Sequence, residues 1–164
     1  MPVLVQKLMP SPLGALRLVA TDAALVGVYL PAQAGVPAED VASHPVLDQT
    51  ARELDEYFRG ERRAFTTPLA PHGTPFQLAV WQALAAIPFG EVRSYAALAQ
   101  AVGRPRAVRA VGAANGRNPL SIIVPCHRVV AAAGALTGYA GGLPAKEWLL
   151  AHERRAATRL HPEA

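Results

Sequence analysis

The string IIVPCHRVV, residues 122–130, holds the only cysteine of the chain, Cys126, with His127 directly after it. The thiolate, not the thiol, is the nucleophile, and an ordinary cysteine with a pKa of about 8.5 is mostly protonated near neutrality, so something must take its proton. His127 is the candidate base. Neighbouring side chains on extended backbone point to opposite faces, so a bridging water is the natural path for that proton. A histidine acting as a base also needs its second ring nitrogen held, commonly by a carboxylate. Glu153 is the candidate, since after Glu147 it is the only acid between residue 92 and the C-terminal tail. Two other readings stay open on these residues alone: an inert thiol, because free cysteine is among the most buried residue types, and a cysteine hydrolase that turns over an ester or peptide. One cysteine excludes an intramolecular disulfide and a Cys-x-x-Cys pair for zinc or redox exchange. Histidines 44, 72, 127, 152 and 161 lack ligand spacing, so no metal site is expected.

The elements that must position this chemistry are legible as patterns. VLVQKLM, GALRLVAT and LVGVYL alternate apolar and polar residues between Pro, Gly and Asp signals, as strands of a small antiparallel sheet do. After the loop PAQAGVPAEDVASHP, the segment VLDQTARELDEYFRG puts Val46, Leu47, Leu54, Tyr57 and Phe58 on one helical stripe and ends at Gly60. The polar, Pro- and Gly-rich RGERRAFTTPLAPHG then marks a lobe boundary near residue 70, dividing a scaffold of residues 1–70 from a second lobe of 71–164. Thr74, Pro75 and Gln77 form a capping-box start for a helix carrying Phe76, Val80, Leu84 and Ile87, stopped by Pro88.

Ser94 can cap YAALAQAV, Gly103 closes it in a left-handed turn, and Pro105 opens PRAVRAVGAAN, which Gly116 ends; this is a helix-turn-helix over about 94–116. Around Arg109 the helical neighbours Pro105, Gly112, Ala113 and Gly116 are small or flat. Such a face either packs closely on another helix or slides into a nucleic-acid groove with one long cation projecting. AAAGALTGYAGG reads as a hairpin or loop, Pro144 starts a last helix anchored by Leu149 and Leu150, and AATRLHPEA reads as a frayed tail.

Charge separates the lobes. Residues 1–68 lean acidic, whereas 92–146 carry Arg93, Arg104, Arg106, Arg109, Arg117, Arg128 and Lys146 with no acid at all. A positive field on one lobe attracts a phosphate polymer. The chain has no run of about 18 apolar residues and no basic segment followed by an apolar signal core, which predicts a soluble, cytoplasmic protein without membrane contact.

In PCHRVV, in RAVGAANGRNPLSIIV before it, in GTPFQLAVW and GEVRSYAALA upstream, and in GALTGYAGGLPAKEWLLAHE downstream, the sequence resembles the O6-alkylguanine-DNA alkyltransferases. The resemblance implies an α/β (α+β) fold: an N-terminal antiparallel sheet plus helix, then a mostly helical, winged helix-turn-helix lobe holding the cysteine. It implies that Cys126 accepts an alkyl group, that His127 deprotonates it through water, that Glu153 orients His127 and that Asn118 braces the turn. Tyr95 would donate to the flipped guanine, with Val129, Tyr139 and Ala140 lining its pocket. Arg109 would intercalate from the recognition helix, with Arg104, Arg128 and Tyr95 also facing DNA. The implied partner is duplex DNA bearing O6-alkylguanine, bound through the minor groove by a monomer, with no cofactor and no metal. Ala140 departs from the serine or arginine that many relatives have after TGY, leaving only its backbone N–H for the guanine oxygen. Alkyltransferase-like lesion sensors carry another residue, commonly tryptophan, where Cys126 stands.

Overall fold

The computed structural model describes residues 3–131 and 138–160. Strands β1 (Val5–Met9), β2 (Leu16–Ala20) and β3 (Leu25–Tyr29) form an antiparallel meander, with Val5 opposite Ala20 and Arg17 opposite Tyr29. The sheet is not purely antiparallel as expected. A two-residue strand, β4 (Glu39–Asp40), joins β1 in parallel, giving the order β3-β2-β1-β4. Two consecutive acids offer no apolar alternation to read, and a Gln6–Asp40 hydrogen bond of 2.7 Å fastens them.

Helix α1 (Pro45–Phe58) packs on the sheet through Val46, Leu47, Leu54 and Tyr57, the predicted stripe, with Phe58 partly buried. Helix α2 (Pro75–Ala85) begins with the predicted capping box of Thr74 and Gln77. Strand β5 (Arg93–Ser94) leads into α3 (Tyr95–Ala101), capped by Ser94 on Ala97 N; Gly103 takes φ +80° after it. Helix α4 (Val108–Gly116) begins three residues later than Pro105, because residues 104–107 close a turn of their own, Ala107 N to Arg104 O at 2.9 Å. Strand β6 (Val129–Val130) pairs in parallel with β5. The last helix, α5, runs Leu143–Leu160, so most of the expected tail is helical. Half of the predicted hairpin or loop over 131–142, residues 132–137, lies outside the described residues, and the described part closes a turn, Gly142 N to Tyr139 O at 2.9 Å.

A continuous apolar cluster joins the two halves: Leu18, Leu47 and Leu54 share it with Val80, Leu84, Val111 and Leu149. At about 1.5–3 kcal/mol for each fully buried large aliphatic, this core holds the helix-turn-helix to the sheet. The free edge of β3 adds backbone ties. Val28 N donates to Pro119 O at 2.8 Å beside a Val28–Leu120 bridge, so strand β3 anchors the segment that leads to Cys126. Among the described residues, no helix is long and apolar enough to cross a membrane.

Candidate active site

The approach to Cys126 is a tight, buried turn. Asn118 Nδ2 donates to Val124 O at 2.8 Å while its Oδ1 accepts from Leu120 N at 3.0 Å, and Val124 N closes onto Leu120 O at 2.9 Å. Inside this clamp Ile122 has φ +73°. A β-branched residue pays about 1–3 kcal/mol for that conformation, so the surroundings, not local preference, dictate the turn. After Pro125 the chain makes one 3-10 turn, Cys126–Arg128, in place of the extended backbone expected from sequence. Successive side chains there diverge by about 120°. Cys126 and His127 therefore point to neighbouring rather than opposite directions.

His127 is fully buried, and its Nε2 lies 2.7 Å from Glu153 Oε2. Glu153, on α5, is equally buried and saturated with donors. Arg128 grips it with Nε on Oε1 at 2.8 Å and Nη2 on Oε2 at 2.9 Å, and Tyr57 of α1 donates its hydroxyl to Oε2 at 2.6 Å. Burial alone would push the Glu153 pKa up, but the hydrogen bonds and charges of His127 and Arg128 hold it well below the usual carboxylate range. Burial also lowers the His127 pKa against the pull of Glu153. The imidazole is therefore neutral near pH 7, with its hydrogen on Nε2 facing the carboxylate. Its Nδ1, buried and without a partner among the described residues, keeps a lone pair able to accept a proton.

Cys126 is 4 % exposed. Burial raises its pKa, partly offset by Asn118 and by the positive charge of Lys146, so the resting sulfur is a thiol that needs a base. Lys146 is itself fully buried, with Nζ donating to Val129 O at 2.6 Å. The Tyr139 hydroxyl faces Ser121 and Cys126 without a hydrogen bond of standard geometry. Unsatisfied buried polar atoms are rare in folded chains, and two of those found here are His127 Nδ1, on the residue that follows the thiol, and Tyr139 Oη, which faces it.

The helix-turn-helix lies alongside. Arg104 and Arg109 are exposed, in the turn and on α4, and Gly112 and Ala113 leave that face low. Tyr95, at the start of α3, lays its ring against α4, since a Cβ on Gly112 would lie 3.7 Å from it. Val129 is buried next to Arg128, and Ala140 is exposed at the rim of a cleft of about 710 Å³ that Asn118 and Arg117 also line. The structure thus gathers Cys126, His127, Glu153, Asn118 and Tyr139 in one place, with Tyr95, Arg104 and Arg109 on the helical face.

Two cations of the basic half lie in the interior instead of on the surface that the sequence implies. Arg128, expected to face DNA, is buried and committed to Glu153 and to Ile87 O at 2.7 Å, because its long side chain turns inward from the 3-10 turn. Lys146, counted with the positive surface, is likewise interior. Arg104, Arg106, Arg109 and Arg117 remain on the surface. Sequence reading also missed Tyr57, seen only as a core residue of α1. No spacing signal could have found it, as 96 positions separate it from Glu153. Among the described residues no three His, Cys, Asp or Glu side chains cluster as metal ligands do.

Two sequence-family profiles match the chain: the 6-O-methylguanine DNA methyltransferase ribonuclease-like domain over residues 4–71 and the DNA binding domain of the same name over 75–155. The chain belongs to this methyltransferase family. The methylated-DNA–protein-cysteine methyltransferase of Mycolicibacterium paratuberculosis is 46% identical over 151 residues, covering 88% of this chain and 89% of that protein. The constitutive enzyme of that name from Bacillus subtilis is 59% identical over 111 residues, covering 67% of each. The crystal structure of the Mycobacterium tuberculosis O6-methylguanine methyltransferase superposes with a TM-score of 0.87 at 40% identity over 94% of both chains. That mycobacterial protein has also been solved in complex with DNA. Membership of the methyltransferase family agrees with the fold: a small sheet and helix scaffold bearing a helix-turn-helix with the thiol behind it.

Proposed function

We propose that this protein is a DNA-repair alkyltransferase that moves the alkyl group of an O6-alkylated guanine onto Cys126 and is spent in doing so. The observation that carries the reading is a sole, buried thiol next to a histidine whose Nε2 is fixed on an ionised carboxylate and whose Nδ1 is available. His127 takes the thiol proton by way of a bridging water, and Glu153 stabilises the imidazolium that forms. The sulfur attacks the alkyl carbon; the carbon–sulfur bond forms as the carbon–oxygen bond breaks, and guanine leaves with the electron pair. A hydrogen bond from Tyr95 to the purine stabilises that charge. The product is a thioether, which no water-driven step reverses under mild conditions, so one molecule repairs one base.

The base must leave the duplex to reach a buried sulfur. The low face of α4 suits the minor groove, where Arg109 fills the gap left by the everted nucleotide and Arg104 meets phosphate. Val129, Tyr139 and Ala140 line the base pocket, Ala140 through its backbone N–H. The protein acts as a monomer in the cytoplasm, where a lone thiol stays reduced. The elements divide near residue 70 into a scaffold and a DNA-binding, alkyl-accepting lobe.

The test is intact mass after incubation with duplex carrying O6-methylguanine: a gain of about 14 Da, one methylene in mass, is expected. Cys126→Ser abolishes the gain while DNA binding survives, and Arg109→Ala slows transfer on duplex far more than with the free base. A folded protein that binds the duplex and gains no mass, or that turns over an ester through an acyl-cysteine, overturns the reading.

A further inference from the structure

One donor to Glu153 comes from outside the cysteine-bearing half of the chain. Oε2 of Glu153 is shared by His127 Nε2 at 2.7 Å, Arg128 Nη2 at 2.9 Å and Tyr57 Oη at 2.6 Å. Of these, Tyr57 alone belongs to α1. Its ring is caged by Phe58, Phe89 and His152, with centroids 5.4, 6.0 and 5.1 Å away. Its backbone carbonyl meets His152 Nε2 at 2.6 Å. The phenol therefore has a fixed aim. It is fully buried, far from any role in holding solvent or DNA, and its hydroxyl spends its proton on the same oxygen that holds the histidine.

From this geometry we propose that Tyr57 is a positioning residue for alkyl transfer: its hydroxyl orients Glu153 and limits how strongly the carboxylate raises the basicity of His127. The proposal rests on the repair reading above. The physical argument concerns one oxygen and its lone pairs. A carboxylate oxygen that accepts three short hydrogen bonds spreads its charge over all of them, and each accepted bond makes it a weaker partner for the others. Tyr57 stays protonated, since burial and the charge of Glu153 push its pKa well above the usual value. Its hydroxyl is thus a permanent donor, not a competing anion.

Without the hydroxyl, Glu153 keeps Arg128 but gains freedom to shift, and its oxygen draws harder on the imidazole N–H. His127 then becomes more basic and less well placed. The other charged or titratable groups around the pair are Cys126 and Arg128 on the 3-10 turn, Lys146 and His152 on α5, and Tyr139 just before it; Arg63 stacks behind Phe89. Removing one phenolic oxygen leaves the covalent structure of every one of these groups unchanged.

The experiment compares the intact protein with Tyr57→Phe, which keeps the caged ring. Two readouts are taken on each: the pH titration of His127 by ¹⁵N-histidine NMR, assigned against His127→Gln, and the single-turnover rate of methyl transfer from O6-methylguanine duplex across pH. In the variant the His127 titration moves to higher pH by about half a unit, the acid limb of the rate profile moves with it, and the plateau rate falls about tenfold at unchanged DNA affinity. As a second variant, 3-fluorotyrosine incorporated at position 57 alone supplies a stronger donor and shifts the titration the opposite way. An unmoved His127 titration in both variants overturns the proposal, as does a shift in the same direction in both. Absence of any methyl adduct on the unaltered protein would instead sink the repair reading, and the NMR titration still decides whether Tyr57 tunes His127.

Discussion

Two buried glutamates, one in each half of the chain, make an instructive pair. Glu53 on α1 and Glu153 on α5 are each 1 % exposed, and both carboxyls are held below the usual range. Glu53 accepts from Thr66 N at 2.9 Å, Thr67 N at 3.1 Å, both threonine hydroxyls and Gln49. Those neutral donors stitch the segment around Thr66 and Thr67 to α1, and they outweigh burial to set its pKa at about 2. Glu153 accepts instead from a histidine, an arginine and a tyrosine. Similar saturation serves different ends. A carboxylate hydrogen-bonded by neutral donors, with the Arg62 Nη1 cation held off at 4.0 Å, fixes a shape, whereas one facing a titratable ring can support a change of charge.

The sharpest test of this contrast is Glu153→Gln. It should lower the single-turnover rate about 10²–10³-fold. It should also cost about 3–5 kcal/mol in urea unfolding, because buried Arg128 loses its counter-charge. Glu53→Gln comes next, with a loss of about 2–3 kcal/mol as an amide N–H is turned toward donors that need an acceptor. Its folded fraction should transfer methyl at the parent rate. A Glu53→Gln protein that is fully folded and inert would break the contrast.

Acid titration offers a milder probe. His127 has its pKa lowered from 6.5 by folding, so below pH 6.5 the unfolded chain takes up a proton that the native state refuses, and stability falls as pH falls. The two glutamates, depressed from 4.5, add a second loss as pH drops below 4.5 toward 2. Unfolding free energies measured across pH should show both phases, and Glu53→Gln should diminish only the lower one. Least disruptive is Gln49→Ala, which removes one of Glu53's neutral donors and should cost about 1 kcal/mol with transfer unchanged.

The parts of this architecture that depend on local periodicity were readable in advance. The three strands, the α1 stripe, the Thr74 capping box and the Ser94 and Gly103 punctuation all follow from residues within a few positions of each other. Cys126 and His127 stood out because chemistry and sequence neighbourhood coincide. What failed to show was decided by packing across the chain. Arg128 and Lys146 look like surface cations until the 3-10 turn and α5 direct them inward. Tyr57 looks like any aromatic on a helical stripe until α5 brings Glu153 to its hydroxyl. The β4 edge and the longer α5 were hidden because neither two acids nor an Ala-rich, charged tail carries a decisive periodic signal.

The left-handed Ile122 has a consequence for the lifetime of the thiol. Such a torsion relaxes toward extended backbone once Asn118 and strand β3 let go, so even a local opening of residues 119–125 would undo the turn that shields the sulfur. The cysteine would then meet solvent oxidants as an ordinary exposed thiol, and oxidation to sulfinic acid is irreversible without a dedicated reductase. Guarding the nucleophile against air and keeping its backbone kinked are therefore one and the same task.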